Sequence, residues 1–277
     1  MKIGIIYHPG RPESCALAET VERVVGAFGG ESWLATRHDE DLLREKAPSL
    51  DTLVTLGGDG TIVRAVRAVS PFGVPILGVN LGRLGFLAEV EPEDTEGALQ
   101  SLLQGAYSVE ERMMLHAELW RGSELLLSSE AINDVVVARG RVSRTVRVAA
   151  EVDGHHMITS TGDGVIVSTP TGSTAYCLAA GGPIVAPDLP SMTMTPIAAH
   201  LGIASAVVIP SDRTLCLELV SGHSAVVTVD GQLDHRLEEG DRVCSEISNH
   251  VARFIRFGQD GHFYEMVLRK LGWPDPS

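Results

Sequence analysis

The sequence predicts two domains, an N-terminal α/β domain with a mostly parallel sheet and a C-terminal β-rich domain. The length of 277 residues fits two domains at about 150 residues each. Short apolar runs alternate with segments of helical period up to Gly105, and after it apolar runs follow one another closely. We therefore expect the first domain at residues 1–105 and the second at 106–250.

Apolar periodicity defines the elements of the first domain. In chain order they are a strand at Lys2–Tyr7, a helix at Leu17–Phe28, a strand at Thr52–Leu56, a helix at Ile62–Val69, a strand at Val74–Val79 and a helix at Asp94–Leu103. Strands that alternate with helices at this spacing favour crossover connections, and these produce a parallel sheet.

The second domain is predicted from short apolar runs that Gly, Asp and Ser separate. The predicted strands are Met113–Trp120, Leu125–Leu127, Val135–Val137, Val146–Val152, Val165–Val167, Leu215–Val220 and Ala225–Val229, with one helical segment at Ser173–Ala180. The tail Val251–Leu271 is too apolar to remain free. We expect residues 251–277 to complete the first domain.

Charge and cysteine content exclude several classes of protein. The 22 Lys and Arg against 36 Asp and Glu give a net charge of −14, which opposes binding to nucleic acid or to an anionic membrane. The longest apolar stretch, Ile197–Pro210, is shorter than the roughly 20 residues of a membrane span. Four cysteines without a CxxC pair indicate reduced thiols in a cytoplasmic protein.

Gly57-Gly58-Asp59-Gly60-Thr61 lies where a buried strand is followed by a helix. Glycines allow a sharp turn there, and the free N–H groups of a helix N-terminus bind anions such as a diphosphate. A carboxylate beside a phosphate needs a role of its own, for example accepting a proton. The alternative is a plain strand-to-helix turn in which Asp59 only caps the helix.

Three further segments carry polar residues at predicted strand ends. Asn80–Leu87 is rich in glycine, Asn133-Asp134 precedes a buried strand, and Asp163–Tyr176 joins a strand to a helix through hydroxyls and glycine. Thr171 or Ser173 is a suitable helix N-cap. Each segment alone also fits a loop, a turn or a cap. Arg139, Arg141, Arg144 and Arg147 form a local basic cluster, in which one guanidinium can bind phosphate while the others are solvated.

Together these segments, with Gly181-Gly182-Pro183, resemble the bacterial NAD kinase family over most of the chain. The resemblance implies phosphorylation of the 2′-hydroxyl on the adenosine ribose of NAD by ATP, to give NADP and ADP. A divalent metal, Mg²⁺, would be bound with the nucleotide. It also implies a Rossmann-like parallel-sheet domain and a β-sandwich-like domain, with the active site in the cleft between them.

The resemblance gives each candidate residue a role. Asp59 corresponds to the general base, and Gly60 follows it under the phosphates. Asn133 and Asp134 would hold the adenosine side of NAD. The candidate substrate- and nucleotide-binding residues are Gly58, Gly60, Thr61, Arg64, Asn133, Asp134, Arg144, Thr161, Asp163, Thr174, Ala175, Tyr176, Ala179 and Gln232. Among them Thr174–Tyr176 would line the NAD pocket, Asp163 would contact the nicotinamide half, Arg144 would face phosphate, and Gln232 would add a polar contact.

Two of these positions depart from the family. Thr161 stands where a basic residue is common, and Ala179 stands where a serine is common. An Arg-Pro pair that is usual in the family is also absent near residues 202–208. Contacts with the dinucleotide or between subunits are therefore expected to differ here.

NAD and ATP are the expected partners, in a cytoplasmic homodimer or homotetramer without nucleic acid or membrane. One alternative is a lipid or sugar kinase, since other kinases share GGDG. Another is an NAD-binding sensor without catalysis, because a fold does not determine a function.

Overall fold

A computed structural model describes residues 1–82, 85–140, 145–201, 204–222, 224–258 and 262–271. The chain divides into two compact units, one of Met1–Glu111 with Val251–Ser277 and the other of Arg112–His250. The first unit is discontinuous in sequence, since the C-terminal segment belongs with the N-terminal part of the chain. The division falls inside two long strands, and each of them contributes residues to both units.

The first unit contains a parallel sheet with helices. Its elements are β1 (Lys2–Tyr7), α1 (Pro12–Ala27), β2 (Glu31–Thr36), α2 (Glu40–Lys46), β3 (Thr52–Gly57), α3 (Asp59–Val69), β4 (Ile76–Asn80) and α4 (Thr95–Leu103), with the end of β16 (Arg242–Arg256) and α6 (His262–Leu271). The strands lie in the order β2-β1-β3-β4-β16, and the paired strands are parallel. The carboxyl ends of β1 to β4 therefore share one edge of the sheet.

Apolar strand residues and the helices form the core of this unit. Ile5 and Leu77 on the strands and Leu99 on α4 belong to one fully buried cluster. α3 packs on β3 and β4, and its apolar residues are buried while Arg64 is exposed. This packing fixes the position of the first residue of α3, which is Asp59.

The second unit is built from antiparallel strands. Its elements are β5 (Ser108–Arg121), β6 (Glu124–Ala131), β7 (Asp134–Arg139), β8 (Val146–Val152), β9 (His155–Gly162), β10 (Gly164–Ser168), a 3₁₀ turn (Thr171–Thr174), α5 (Tyr176–Ala179), β11 (Ser191–Ile197), β12 (Val207–Pro210), β13 (Leu215–Ser221), β14 (Ala225–Val229), β15 (Leu233–Leu237) and the beginning of β16. Six strands form one sheet in the order β12-β11-β10-β7-β14-β15. The second sheet contains β16-β13-β8-β9, and β5 pairs with β6.

The two sheets of the second unit share an apolar core. Val137 and Val165 from the six-stranded sheet and Val148 and Leu217 from the other belong to one buried cluster. Two sheets that bury their inner faces against each other form a sandwich. The predicted fold class, a parallel-sheet α/β domain and a β-rich domain, is confirmed.

Two of the elements that are absent from the sequence prediction, β2 and β9, have few buried residues. β2 lies at the edge of the parallel sheet, and of its residues only Ala35 is buried. β9 has a similarly exposed pattern. The helix predicted at Ser173–Ala180 is two short pieces, the 3₁₀ turn and α5. Among the described helices, none is long and apolar enough to cross a membrane.

The expectation of four reduced thiols is wrong for two cysteines. Cys216 on β13 and Cys244 on β16 are directly opposite in the antiparallel register and form a disulfide, with Cα atoms 4.0 Å apart. Cys15 and Cys177 are free thiols. The separation of 28 residues carries no signal in the sequence, because the pairing follows from the register of two strands.

Candidate active site

Asp59 follows β3 at the carboxyl edge of the parallel sheet and is the first residue of α3. The N-cap of this helix is Gly58, and no side chain caps it. The carboxylate of Asp59 accepts hydrogen bonds from the N–H groups of Phe86 at 2.8 Å and Leu87 at 3.3 Å. The alternative in which Asp59 only caps its own helix is therefore wrong. The carboxylate is oriented by the loop that follows β4.

The glycines near Asp59 differ in how much space they have for a Cβ atom. A Cβ on Gly85 would overlap the Asp59 carboxylate and lie 2.7 Å from its Cγ. A Cβ on Gly58 or Gly60 would meet nothing within 4 Å. Gly85 therefore makes room for Asp59, whereas Gly58 and Gly60 leave open space at the start of the helix, where a phosphate can approach the backbone.

Two further candidates, Thr61 and Arg64, lie on the first turns of α3. Thr61 is half-buried, and its N–H donates to the carbonyl oxygen of Gly58 at 2.9 Å. Arg64 is exposed. Asn80 ends β4 and is buried, and its Oδ1 accepts from the N–H of Gly82 at 3.2 Å. Within this unit, the strand-end segments after β3 and β4 thus come together around Asp59.

In the second unit, Asn133 lies in the turn between β6 and β7, and Asp134 is the first residue of β7; the two are called the Asn133-Asp134 turn below. The N–H of Thr169 donates to the Asn133 carbonyl oxygen at 2.9 Å. Asp134 is only 5% exposed, and burial together with the negative charge of Asp230 raises the pKa of Asp134 to about 7. Asp134 is therefore a carboxyl group that changes its charge near neutral pH.

Four candidates lie on the short helical segment that follows β10. Ala175, Tyr176 and Ala179 are exposed and Thr174 is half-buried. Ser173 is buried, and its Oγ accepts from the Val185 N–H at 2.9 Å. The prediction that Ser173 caps a helix is wrong, and so is the same prediction for Thr171, because no side chain caps either helical piece. The exposed side chains form a surface that a ligand can reach.

Asp163 lies between β9 and β10 and pairs with Arg139 at the end of β7. Arg139 Nε is 2.7 Å from Asp163 Oδ1, and Nη2 donates to Oδ2 at 2.9 Å. This fork geometry fixes the plane of the carboxylate. Thr161 is half-buried, and its N–H and carbonyl oxygen bond to the backbone of Leu201 and His200.

Gln232 and Arg144 are the remaining candidates. Gln232 is half-buried beyond β14, and its N–H donates to the carbonyl oxygen of Val229 at 3.0 Å. Arg144 lies outside the described residues. Sequence reasoning missed Asp230, which contacts the Asn133-Asp134 turn. The sequence feature that could have indicated Asp230 is an Asp-Gly pair directly after a predicted strand, but such a pair also fits an ordinary turn.

No group of three or more His, Cys, Asp or Glu side chains among the described residues is arranged to hold a metal ion. The first unit offers a carboxylate at a sheet edge beside a helix N-terminus, which can accept a proton from a hydroxyl and bind anionic groups. The second unit, described by itself, offers polar groups around a turn.

Family models and curated relatives match most of the chain. The model of the ATP-NAD kinase N-terminal domain matches residues 26–107, and that of the ATP-NAD kinase C-terminal domain matches residues 132–257. The NAD kinase of Dehalococcoides mccartyi strain CBDB1 is 38% identical over 271 residues, which are 98% of this chain and 95% of the relative. The NAD kinase of Heliobacterium modesticaldum is 48% identical over 230 residues, 83% of this chain and 81% of that protein.

Solved structures have the same fold. The NAD kinase from Archaeoglobus fulgidus in complex with ATP has a TM-score of 0.79 and 26% identity, and the match covers 96% of this chain and 97% of that one. Yeast NADH kinase complexed with NADH has a TM-score of 0.87 and 24% identity, and the match covers 100% of this chain and 89% of that one. Because both family models and relatives above 30% identity match over most of its length, the chain belongs to the NAD kinase family.

Proposed function

We propose that this chain transfers the terminal phosphoryl group of ATP to the 2′-hydroxyl on the adenosine ribose of NAD, with release of NADP and ADP. The observation that carries the proposal is Asp59, a carboxylate at the carboxyl edge of a parallel sheet beside an open helix N-terminus. Ligands of such sheets bind at this edge.

Asp59 acts as the general base. Its carboxylate accepts the proton of the 2′-hydroxyl while the hydroxyl oxygen forms a bond to the γ-phosphorus. The bond from that phosphorus to the β,γ-bridging oxygen breaks, and the electron pair leaves with ADP. The N–H groups of Phe86 and Leu87 orient the carboxylate during this step. Transfer of this kind depends mainly on positioning and on neutralised charge.

The binding residues divide by chemistry. Gly58 and Gly60 lie under the phosphates at the start of α3, and the side chains of Thr61 and Arg64 offer donors beside them. Asn133 and Asp134 hold the adenosine side of NAD. Thr174, Ala175, Tyr176 and Ala179 line its pocket, and Asp163 meets the nicotinamide half. Thr161, Gln232 and Arg144 are assigned as further contacts by family resemblance.

A divalent metal ion, Mg²⁺, is proposed to arrive with the phosphates of ATP. Mg²⁺ keeps several water molecules and prefers phosphate oxygens to a cage of protein ligands. When bound, it neutralises charge on the phosphates. Activity should therefore be lost with EDTA and return when Mg²⁺ is added in excess.

Formation of NADP from NAD and Mg-ATP by the purified chain tests the proposal. We expect turnover with NAD and none with diacylglycerol, sphingosine or hexose phosphates, which a lipid or sugar kinase would use. Calorimetric binding of NAD without any NADP formation would show a sensor instead. Polyphosphate in place of ATP, and NADH in place of NAD, then define the donor and the acceptor.

The role of Asp59 is tested with Asp59→Asn, which should lower kcat by about 100-fold. Asp51→Asn is the matched control. The carboxylate of Asp51 also accepts a backbone N–H, that of Lys2 at 2.7 Å, but it precedes β3 and lies at the opposite end of the strand. A folded Asp59→Asn protein with wild-type kcat would remove the general base from the mechanism. The homodimer or homotetramer and the cytoplasmic location stay predictions, and light scattering after size exclusion measures the first.

A further inference from the structure

Asp230 binds three consecutive backbone amides of the turn that carries Asn133 and Asp134. Its Oδ2 accepts from the N–H of Ile132 at 3.0 Å, and its Oδ1 accepts from Asn133 at 2.8 Å and Asp134 at 3.0 Å. In return, the Asp230 N–H donates to the Asp134 carbonyl oxygen at 2.9 Å. One side chain thus satisfies every amide of this turn.

The carbonyl side of the same turn is held by the segment after β10. The Thr169 hydroxyl donates to the Ile132 carbonyl oxygen, and the Thr169 N–H donates to that of Asn133. A Cβ on Gly172 would overlap the carbonyl group of Asn133 and lie 2.8 Å from its Cα. The turn therefore has its amides fixed by one segment and its carbonyl groups by another, and these segments are far apart in sequence.

The side chain of Asp134 is buried beside the turn. It is 5% exposed, and within the part of the chain that the structure describes no donor bonds to its carboxyl group. Its partner on β10, Ser168, is uncharged. The charge that acts on Asp134 is that of Asp230, and together with burial it raises the pKa of Asp134 to about 7. A buried carboxyl group that no described side chain or amide binds is available to a ligand.

We propose that Asp230 is a positioning residue, whose carboxylate fixes the backbone of the Asn133-Asp134 turn and so directs both side chains to the dinucleotide. This rests on the proposed function, in which these two residues hold the adenosine side of NAD. Asp230 itself touches the backbone of the turn and acts through it. The left-handed backbone of Asp230, with φ of 50°, is one that Asp and Asn tolerate better than most residues.

The test compares Asp230→Asn with Asp153→Asn. Asn keeps one acceptor oxygen and the same tolerance of left-handed φ, but it loses the charge and the second acceptor. Asp153 is a matched control because it also has positive φ and accepts a backbone N–H, that of Thr214. We expect Asp230→Asn to raise KM for NAD about tenfold, the effect of one hydrogen bond to a charged group, with kcat and KM for ATP changed less than about threefold.

The pH dependence of KM for NAD distinguishes a positioning role of Asp230 from a purely structural one. Without the Asp230 charge, Asp134 releases its proton at lower pH, so the pH at which KM for NAD changes should move below its wild-type value. Asp153→Asn should leave that midpoint in place. If Asp230→Asn lowers thermal stability but leaves KM and the midpoint as in wild type, the inference is overturned.

Hydrogen exchange of residues 132–134 provides a readout that does not need activity. We expect faster exchange there in Asp230→Asn and unchanged exchange in Asp153→Asn. Should Asp230→Asn fail to fold, Thr169→Val removes one contact from the other side of the turn and should raise KM for NAD in the same direction. Unchanged KM in a folded Thr169→Val protein would also contradict the inference. A wild-type chain that makes no NADP refutes the proposed function instead, while calorimetric NAD affinity of the same variants still decides about Asp230.

Discussion

Replacing Gly85 with alanine should displace the proposed catalytic base. The new Cβ would lie 2.7 Å from Cγ of Asp59 and 3.0 Å from its Oδ2, so the carboxylate has to withdraw by on the order of 1 Å. A displacement of that size costs about 100-fold in rate when it affects an aligned group. It also weakens the two hydrogen bonds from the loop, and each bond to a charged group contributes about 1.5–3 kcal/mol.

The assay is kcat for NADP formation, with the free energy of unfolding in urea measured in parallel. Gly97→Ala is the matched control, because a Cβ there meets nothing within 4 Å and the residue lies on α4. We expect kcat to fall about 100-fold in Gly85→Ala and to stay within about twofold in the control.

A double-mutant cycle with Asp59→Ala shows whether the two residues interact directly. In the Asp59→Ala background the carboxylate is gone, so adding Gly85→Ala should cost little further stability. If Gly85→Ala destabilises both backgrounds equally, the methyl group meets something other than Asp59. If Gly85→Ala retains wild-type kcat, the reasoning about the loop is refuted.

Three further predictions concern the second unit. Reduction of the Cys216–Cys244 disulfide should lower the free energy of unfolding by up to about 3.5 kcal/mol, which is the loss of chain entropy expected for a loop of 28 residues. A reductant should therefore shift the urea midpoint of wild type but not that of Cys216→Ser. Burial and the charge of Asp230 raise the pKa of Asp134 from its ordinary value of 3.8 to about 7 in the folded chain, so the free energy of unfolding should fall as pH rises between these values. Urea denaturation at a series of pH values should show this slope in wild type but not in Asp134→Asn. Arg139→Gln removes the bidentate partner of Asp163, which is proposed to meet the nicotinamide half of NAD, and should raise KM for NAD about tenfold. A lower kcat with unchanged KM in initial-rate kinetics would contradict this.

The buried part of the fold could be predicted because buried strands are apolar runs. Lys2–Tyr7 has the same bounds in the sequence prediction and in β1. The edge strand β2 was not predicted, since its apolar run, Trp33–Ala35, is short and of its residues only Ala35 is buried. For the same reason, the fold class could be predicted from the sequence but the number of strands could not.

The candidate site shows a similar limit. Asp59 and Asn133 could be singled out as candidates because polar residues directly beside a buried strand stand out in the sequence. The residues that contact these candidates could not be predicted, because those contacts depend on which strands become neighbours. The pairing of Gly164 with Ala138 on β10 and β7 brings Asp163 opposite Arg139. Nothing in the sequence between residues 139 and 163 encodes that register in a form that can be read alone.

The glycines of the GGDG segment are of two kinds that the sequence does not distinguish. Gly57 is needed by the fold, since a Cβ there would lie 2.9 Å from the Cβ of Thr61. Gly60 is in the first turn of α3 with open space around it, where alanine would favour the helix by up to about 1 kcal/mol. The space that a Cβ would take at Gly60 is open, and in the proposed function the phosphates of a bound nucleotide lie there, at a helix N-terminus that favours anions.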